Sequence, residues 1–211
     1  MKTLVIGAHG KIGRILCRRA AAHGLDLRAM VRSETQREAV AAPGVETVVG
    51  DVEAEFAHAF EGCDRLVFTA GSGGHTGGDK TLLVDLYGAI RAIEESEARG
   101  IEHFVMVSAL RADRPLEGPP AMRHYFVAKH LADERLLASP VPSTILRPGR
   151  LTDVPGSGCI TSEVGAARGF DIARENVADC IAAALSTRAA RGRVVDLLDG
   201  ELPIEELFAA S

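Results

Sequence analysis

The apolar run Leu4-Val5-Ile6 stops at Gly7, and glycine returns at Gly10 and Gly13 in Gly7-Ala8-His9-Gly10-Lys11-Ile12-Gly13. A helical pattern follows, with Ile12, Ile15, Leu16 and Ala20 on one stripe. Glycines at this spacing permit a tight strand-to-helix turn, a close approach of backbone to a ligand, and close packing of helix on strand. The helix N-terminus then presents unpaired N–H groups and a partial positive charge at one spot, which suits a pyrophosphate. A chain that begins this way is expected to build an α/β layer structure with an anion seat at its first turn.

The remaining pattern agrees. Apolar runs at Lys2–Ile6, Leu27–Val31, Glu46–Val49, Arg65–Ala70, His103–Ser108 and Ser143–Leu146 read as strands. Helical stretches are predicted over Lys11–His23, Glu34–Ala41, Glu53–Phe60, Thr81–Arg99 and Arg123–Ala138, with Gly24, Gly62 and Gly100 as breakers. The strands are continuous apolar runs, as burial on both faces requires, and they alternate with helices. The fold class is therefore a doubly wound parallel-sheet Rossmann fold with a small C-terminal lobe. Residues 1–149 form the cofactor-binding core, and 150–211 form a substrate-side lobe and the last sheet elements, with a helix over Asn176–Ser186, a strand over Arg193–Leu197 and a helix over Ile204–Ala210.

Composition narrows the partners. The 211 residues carry a net charge of −5 and only 4% aromatics, which does not suggest a basic nucleic-acid face. No apolar stretch nears the ~20 residues of a membrane span. The chain enters a strand at once, without a signal-peptide pattern, so a cytoplasmic protein is expected. Cys17, Cys63, Cys159 and Cys180 have neither metal nor redox spacing and read as reduced thiols. No His, Cys and carboxylate cluster has metal-ligand spacing. A small-molecule substrate and a monomer or homodimer are the expected partners.

The end of the second strand bears on which dinucleotide binds. An acidic residue about 20 positions past the glycines holds the ribose hydroxyls in NAD proteins. This chain has Arg32-Ser33 there, and Arg14 directly after the last glycine. A guanidinium suits a 2′-phosphate, so NADP(H) is expected over NAD(H). His9, Lys11, Ile12, Asp51 and Val52 join the candidate cofactor residues, Asp51 either as an acceptor near the adenine or as a helix cap.

Tyr125 and Lys129 lie one helical turn apart and share a face. A neighbouring ammonium should lower the phenol's pKa from its ordinary value near 10. The phenol then exchanges a proton with a carbonyl or alcohol oxygen as hydride moves, and the lysine is placed to bond the nicotinamide ribose. Arg123 and His124 adjoin the pair. Lys80 and Asp85 read as a helix-surface pair, and His75 and Asp79 as parts of a Gly-rich loop and its exit.

These segments, with Gly50-Asp51, Thr69-Ala70-Gly71, Val107-Ser108 and Arg147-Pro148-Gly149, resemble the short-chain dehydrogenase/reductase superfamily. The likeness is to its atypical branch near the NAD-dependent epimerase/dehydratase-like and NmrA-like proteins. The resemblance implies that Ser108 joins Tyr125 and Lys129 as a catalytic group. It also implies that Thr69, Ala70, Gly71, Pro148 and Gly149 line the cofactor. Ala109 departs from many relatives, which carry a second hydroxyl residue there. The expected activity is NADP(H)-dependent hydride transfer to or from a small carbonyl or alcohol. A nucleotide-sensing regulator and a nucleotide-sugar epimerase or dehydratase are the alternatives.

Overall fold

The computed structural model of the chain describes residues 1–74, 76–167 and 169–209. His75 of the glycine-rich loop, and Ala210 at the expected end of the last helix, lie outside the described residues. The strands are β1 Lys2–Ile6, β2 Asp26–Val31, β3 Val45–Val49, β4 Arg65–Phe68, β5 His103–Val107, β6 Ser143–Pro148, β7 Arg150–Thr152, β8 Cys159–Thr161, β9 Asp171–Ala173, β10 Arg193–Asp199 and β11 Leu202–Pro203. The helices are α1 Lys11–Arg19, α2 over 78–99, α3 Arg123–Leu137 and α4 Arg174–Ser186. Within α2, the segment Thr81–Tyr87 is wound as a π-helix.

The main sheet has the order β11-β8-β10-β6-β5-β4-β1-β2-β3. From β3 to β10 its pairings are parallel, and β8 and β11 close the far edge antiparallel. The order reverses direction beside β1, which opens the ligand crevice of a doubly wound sheet at the carboxyl edge. Register then decides what meets there. Ile6 pairs with Met30 and with Phe68, and Met106 pairs with Phe68 and with Ile145. Gly7, Arg32, Thr69 and Ser108 therefore leave the sheet along one edge.

Two apolar cores cover the two faces. Val5, Ile12, Leu16, Leu27, Val177 and Ile181 belong to the layer made by α1 and α4. Leu4, Ile6, Phe56, Phe104, Ile93 and Leu136 belong to the layer made by α2 and α3. Each strand sends alternate residues to each core, so the continuous apolar runs are explained by two-sided burial. Residues 150–173 form a separate two-stranded sheet, β7 with β9, as well as β8.

Three predicted helices are not helices of that length. Glu34–Ala41 is two 3-10 turns, Glu34–Gln36 and Glu38–Val40. Eight residues are too few to sustain a helix without strong packing, and Arg37 is drawn off to the Thr47 carbonyl at 2.7 Å. Glu53–Phe60 reduces to a turn at Ala57–Phe60. There the Asp51 and Glu55 side chains accept from the N–H groups of Glu53 and Ala57, at 3.0 and 2.9 Å. Such local bonds compete with a helix. Ile204–Ala210 keeps only the turn Ile204–Glu206 among the described residues. Helix α1 ends at Arg19, four residues before the expected His23.

Candidate active site

Gly7 has φ +92°, a conformation that favours glycine, and an added Cβ would lie 2.5 Å from the Ala70 nitrogen. A Cβ on Gly13 would lie 2.5 Å from the Gly7 carbonyl oxygen and 2.6 Å from Ala8 Cα. These two glycines bring the first helix against the first strand. Gly10 is different, because its added Cβ meets only the Gly7 oxygen, at 3.1 Å, and otherwise faces open space. Its backbone forms the rim that a ligand can approach. The first bond within α1 runs from Arg14 N–H to Gly10 C=O at 2.9 Å, and no side chain caps the helix. The N–H groups of Lys11, Ile12 and Gly13 thus face the crevice end as orphan donors. Ile12 and Gly13 are themselves buried, and exposed Lys11 pairs with Asp153 at 2.6 Å.

A cleft of about 300 Å³ opens beside this turn. Gly7, His9 and Gly10 form one wall, Arg32, Asp51 and Val52 another, and Thr69, Ala70 and Gly71 the third. Nine of the predicted cofactor residues are thereby brought together. Arg14 and Arg32 are exposed, and neither guanidinium has a carboxylate partner among the described residues. Arg32 N–H donates to Gln36 Oε1 at 2.9 Å, and Ser33 Oγ shares a hydrogen bond with Thr35 Oγ1 at 2.8 Å. The residues fit a dinucleotide: a bare glycine rim, unpaired N–H donors and a cleft between the switch-point strands.

The sequence reading missed other walls of this cleft, notably Gln36, Ser72 and Lys80. Lys80 and Asp85 do not pair with each other. Lys80 Nζ reaches Glu53 at 2.6 Å, while Asp85 turns inward. This corrects the surface-pair expectation. Asp85 is 2% exposed, lies 3.3 Å from Lys129 Nζ, and accepts from Ser72 N–H at 2.9 Å. A further signal was available: Thr81, Asp85, Gly88, Ala92 and Ser96 fall on one helical stripe that is buried throughout.

Lys129 also donates to the Val107 carbonyl at 3.3 Å, and its Nζ lies 5.8 Å from the centre of the Tyr125 ring. One turn further on, Asp133 accepts from Arg147 Nε at 2.9 Å. Asp85, Lys129, Asp133 and Arg147 thus form an alternating chain of charges behind the tyrosine, with no net charge. Burial would lower the Lys129 pKa, but the charges of Tyr125, Asp85 and Asp133 outweigh it and raise it. Burial raises the carboxyl of Asp133 against the hydroxyl of Ser108 and the charge of Arg147.

The phenol of Tyr125 departs from expectation. Lys129 does pull its pKa down, but burial acts more strongly in the other direction, and the net shift is upward. The charges of Asp85 and Asp133 add to the upward shift. Ser108 stands at the end of β5, is 3% exposed, and its N–H donates to Leu146 C=O at 2.7 Å. Its Oγ and Asp133 Oδ1 are both buried with no hydrogen bond of ordinary geometry, although the hydroxyl stands close enough to hold the carboxyl down. Pro148 C=O accepts from Leu110 N–H at 2.8 Å and Gly149 N–H donates to Leu197 C=O at 3.0 Å. Ser108, Tyr125, Lys129, Pro148 and Gly149 lie outside the walls of the 300 Å³ cleft, beyond its β4 side along the same sheet edge.

Among the described residues no group of three or more His, Cys, Asp or Glu side chains is placed to hold a metal, and no helix is long and apolar enough to cross a membrane.

Comparison with known proteins agrees with the fold and with dinucleotide binding. Residues 7–188 match the NAD(P)H-binding family. A protein of Bacillus subtilis named "Uncharacterized sugar epimerase YhfK" is 45% identical over 210 residues, covering 98% of each chain. A putative NAD-dependent epimerase/dehydratase from Bacillus halodurans superposes with a TM-score of 0.91 at 41% identity, over 99% of this chain and 98% of that one. The oxidoreductase ylbE from Lactococcus lactis superposes with a TM-score of 0.86 at 29% identity, over 99% of this chain and 95% of that one.

Proposed function

The chain belongs to the NAD(P)H-binding family, and from that premise we propose that it is an NADP(H)-dependent oxidoreductase that reduces a small carbonyl compound to the alcohol. The observation that carries the reading is the buried Lys129 ammonium, held by Asp85 and the Val107 carbonyl and fixed 5.8 Å from the centre of the Tyr125 ring. NADPH in the cleft would supply the hydride.

This chain's residues supply the rest. The orphan N–H groups of α1 bind the pyrophosphate, and Arg32 and Arg14 bind the 2′-phosphate. Ser108 orients the substrate oxygen. Tyr125 donates its hydroxyl proton to that oxygen as the carbonyl carbon accepts the hydride, which leaves the alcohol and a phenolate that water reprotonates. Lys129 stabilises the transient phenolate and holds the nicotinamide ribose, and Pro148 and Gly149 flank the ring. A proton-loaded phenol suits reduction at neutral pH, because it is the donor form. The test is NADPH consumption with a panel of aldehydes, ketones, quinones and flavins. Turnover of a carbonyl compound that Tyr125→Phe abolishes supports the reading, and NADPH binding with no turnover across the panel counts against it.

The names of the relatives suggest a second reading, a sugar epimerase. The same tyrosine and lysine would serve that chemistry. The segment between β6 and α4, residues 149–173, is short for enclosing a nucleotide sugar, so reduction of a smaller substrate ranks first.

A further inference from the structure

Arg111 is the one non-glycine residue among those described with a left-handed backbone, at φ +70°. It follows Ser108 by three residues, and Leu110 between them is bonded to Pro148. A left-handed conformation is unfavourable for an ordinary residue and persists where the surroundings impose it. Here it turns the side chain toward Phe170, and the guanidinium carbon lies 5.0 Å from the ring centre. Phe170 is 51% exposed although its backbone is anchored, since its carbonyl accepts from Arg150 N–H at 2.5 Å. An exposed aromatic ring and a guanidinium are thus stacked at the carboxyl edge beside β5 and β6.

Of the neighbouring acids, Asp113 faces Arg114 at 3.2 Å and Arg147 at 3.9 Å, and Asp171 forms two bonds to Arg150 at 2.7 and 2.6 Å. No carboxylate pairs with Arg111 among the described residues. Nor is it placed for the cofactor's phosphates. The pyrophosphate turn follows β1, and β5 lies two strands away, about 10 Å at ordinary strand spacing. A stacked guanidinium keeps its planar fork free, and a single fork matches the two oxygens of one carboxylate.

We propose that Arg111, held on Phe170, is the specificity-determining residue of the site and selects carbonyl substrates that carry a carboxylate. The inference rests on the reductase reading and adds the substrate class. Its alternative is a purely mechanical role, in which the stack only fastens the Phe170 segment to the core.

The test uses two probes of one shape, 4-formylbenzoate and its methyl ester, with NADPH. The wild type should prefer the acid in kcat/KM by about 10–100-fold, the range of one charged hydrogen-bonded pair. Arg111→Met keeps the backbone strain and most of the stem. It should abolish the preference while changing the ester rate by less than about 3-fold, and Arg111→Lys should restore part of it. Equal rates for acid and ester in the wild type, or a preference that survives in Arg111→Met, overturn the proposal. So does a variant that loses both rates and thermal stability together, since that is the mechanical role. If neither probe is turned over, the reductase reading is decided by the wider panel, and calorimetric titration of 4-formylbenzoate into the protein with NADPH decides on Arg111. Binding that Arg111→Met removes upholds the carboxylate site, and no binding to the wild type overturns it.

Discussion

Asp85 Oδ1 and Lys129 Nζ face each other at 3.3 Å, from helices 44 positions apart in the chain, with both side chains almost fully buried. The other oxygen of Asp85 receives Ser72 N–H, and Ser72 belongs to the cleft wall. One carboxylate therefore joins the cofactor-side loop to the lysine of the acid-base pair.

Removing that charge should be costly, because it leaves a buried ammonium with one counter-charge fewer. Asp85→Asn is expected to lose about 3 kcal/mol of unfolding free energy. Its amide also cannot accept from Ser72 N–H with one end and serve Lys129 with the other unless both contacts use the single oxygen. Urea unfolding of the two proteins at neutral pH measures the difference. A loss below about 1 kcal/mol would mean that the pair contributes no more than a surface bridge.

Tyr125→Phe removes one oxygen and keeps the ring against Phe126. The reductive kcat should fall by about 10²–10⁴-fold, the usual share of a general acid, with NADPH affinity unchanged. The pH profile supplies a second reading. A phenol whose pKa is raised stays protonated past the ordinary value near 10, so reductive turnover should hold steady through neutral pH and decline only above that value. The oxidative direction needs the phenolate and should climb with pH over the same interval. A reductive rate that declines between pH 7 and 9 would assign the proton to another group.

Arg32 leaves β2 at the cleft with no carboxylate partner among the described residues. Arg32→Ala should weaken NADPH by about 1–3 kcal/mol, the value of a charged hydrogen bond, and leave NADH nearly unaffected. Calorimetric titration of both cofactors into both proteins gives the four constants. Equal wild-type affinities for NADPH and NADH would remove the case for a 2′-phosphate site.

His103 offers a stability prediction away from the site. Its Nε2 lies 2.8 Å from Thr144 Oγ1, whose hydroxyl donates to Ala190 C=O at 2.6 Å, so the imidazole must be the donor. Burial first, then the charges of Arg191 and Arg65, lower its pKa from 6.5 to about 4. The fold holds it neutral, while the unfolded chain takes up a proton below pH 6.5. The contribution is therefore whole above pH 6.5 and disappears as pH falls toward 4, by up to about 3 kcal/mol. Unfolding free energies at pH 7 and pH 4.5 should differ more in the wild type than in His103→Gln. An identical pH dependence in the variant would place the titration elsewhere.

Much of this was legible because it is local. Leu4-Val5-Ile6 and the three glycines after it specify strand, turn and helix within a dozen residues, and Tyr125 and Lys129 meet because four residues make one helical turn. Asp85 was not legible as Lys129's partner, because its meaning depends on how α2 docks against α3. The direction of the Tyr125 shift was missed for a related reason. Spacing reports the ammonium, but not the burial that outweighs it. Strands β7, β8 and β9 are three residues each, too short to show a period, and their partners lie far along the chain.

The layer shared by α1 and α4 has a consequence for how the protein is made. Ile12, Ile15 and Leu16 of the helix that follows the glycine turn are covered by Val177, Ile181 and Leu185, and Arg19 reaches across to Glu175 and Asp179 at 2.8 and 2.5 Å. During synthesis the first helix emerges long before its cover does, so its apolar stripe stays wet until residue 186 has left the ribosome. The glycine turn is translated well before α4, yet the helix it leads into gains its cover only when α4 docks.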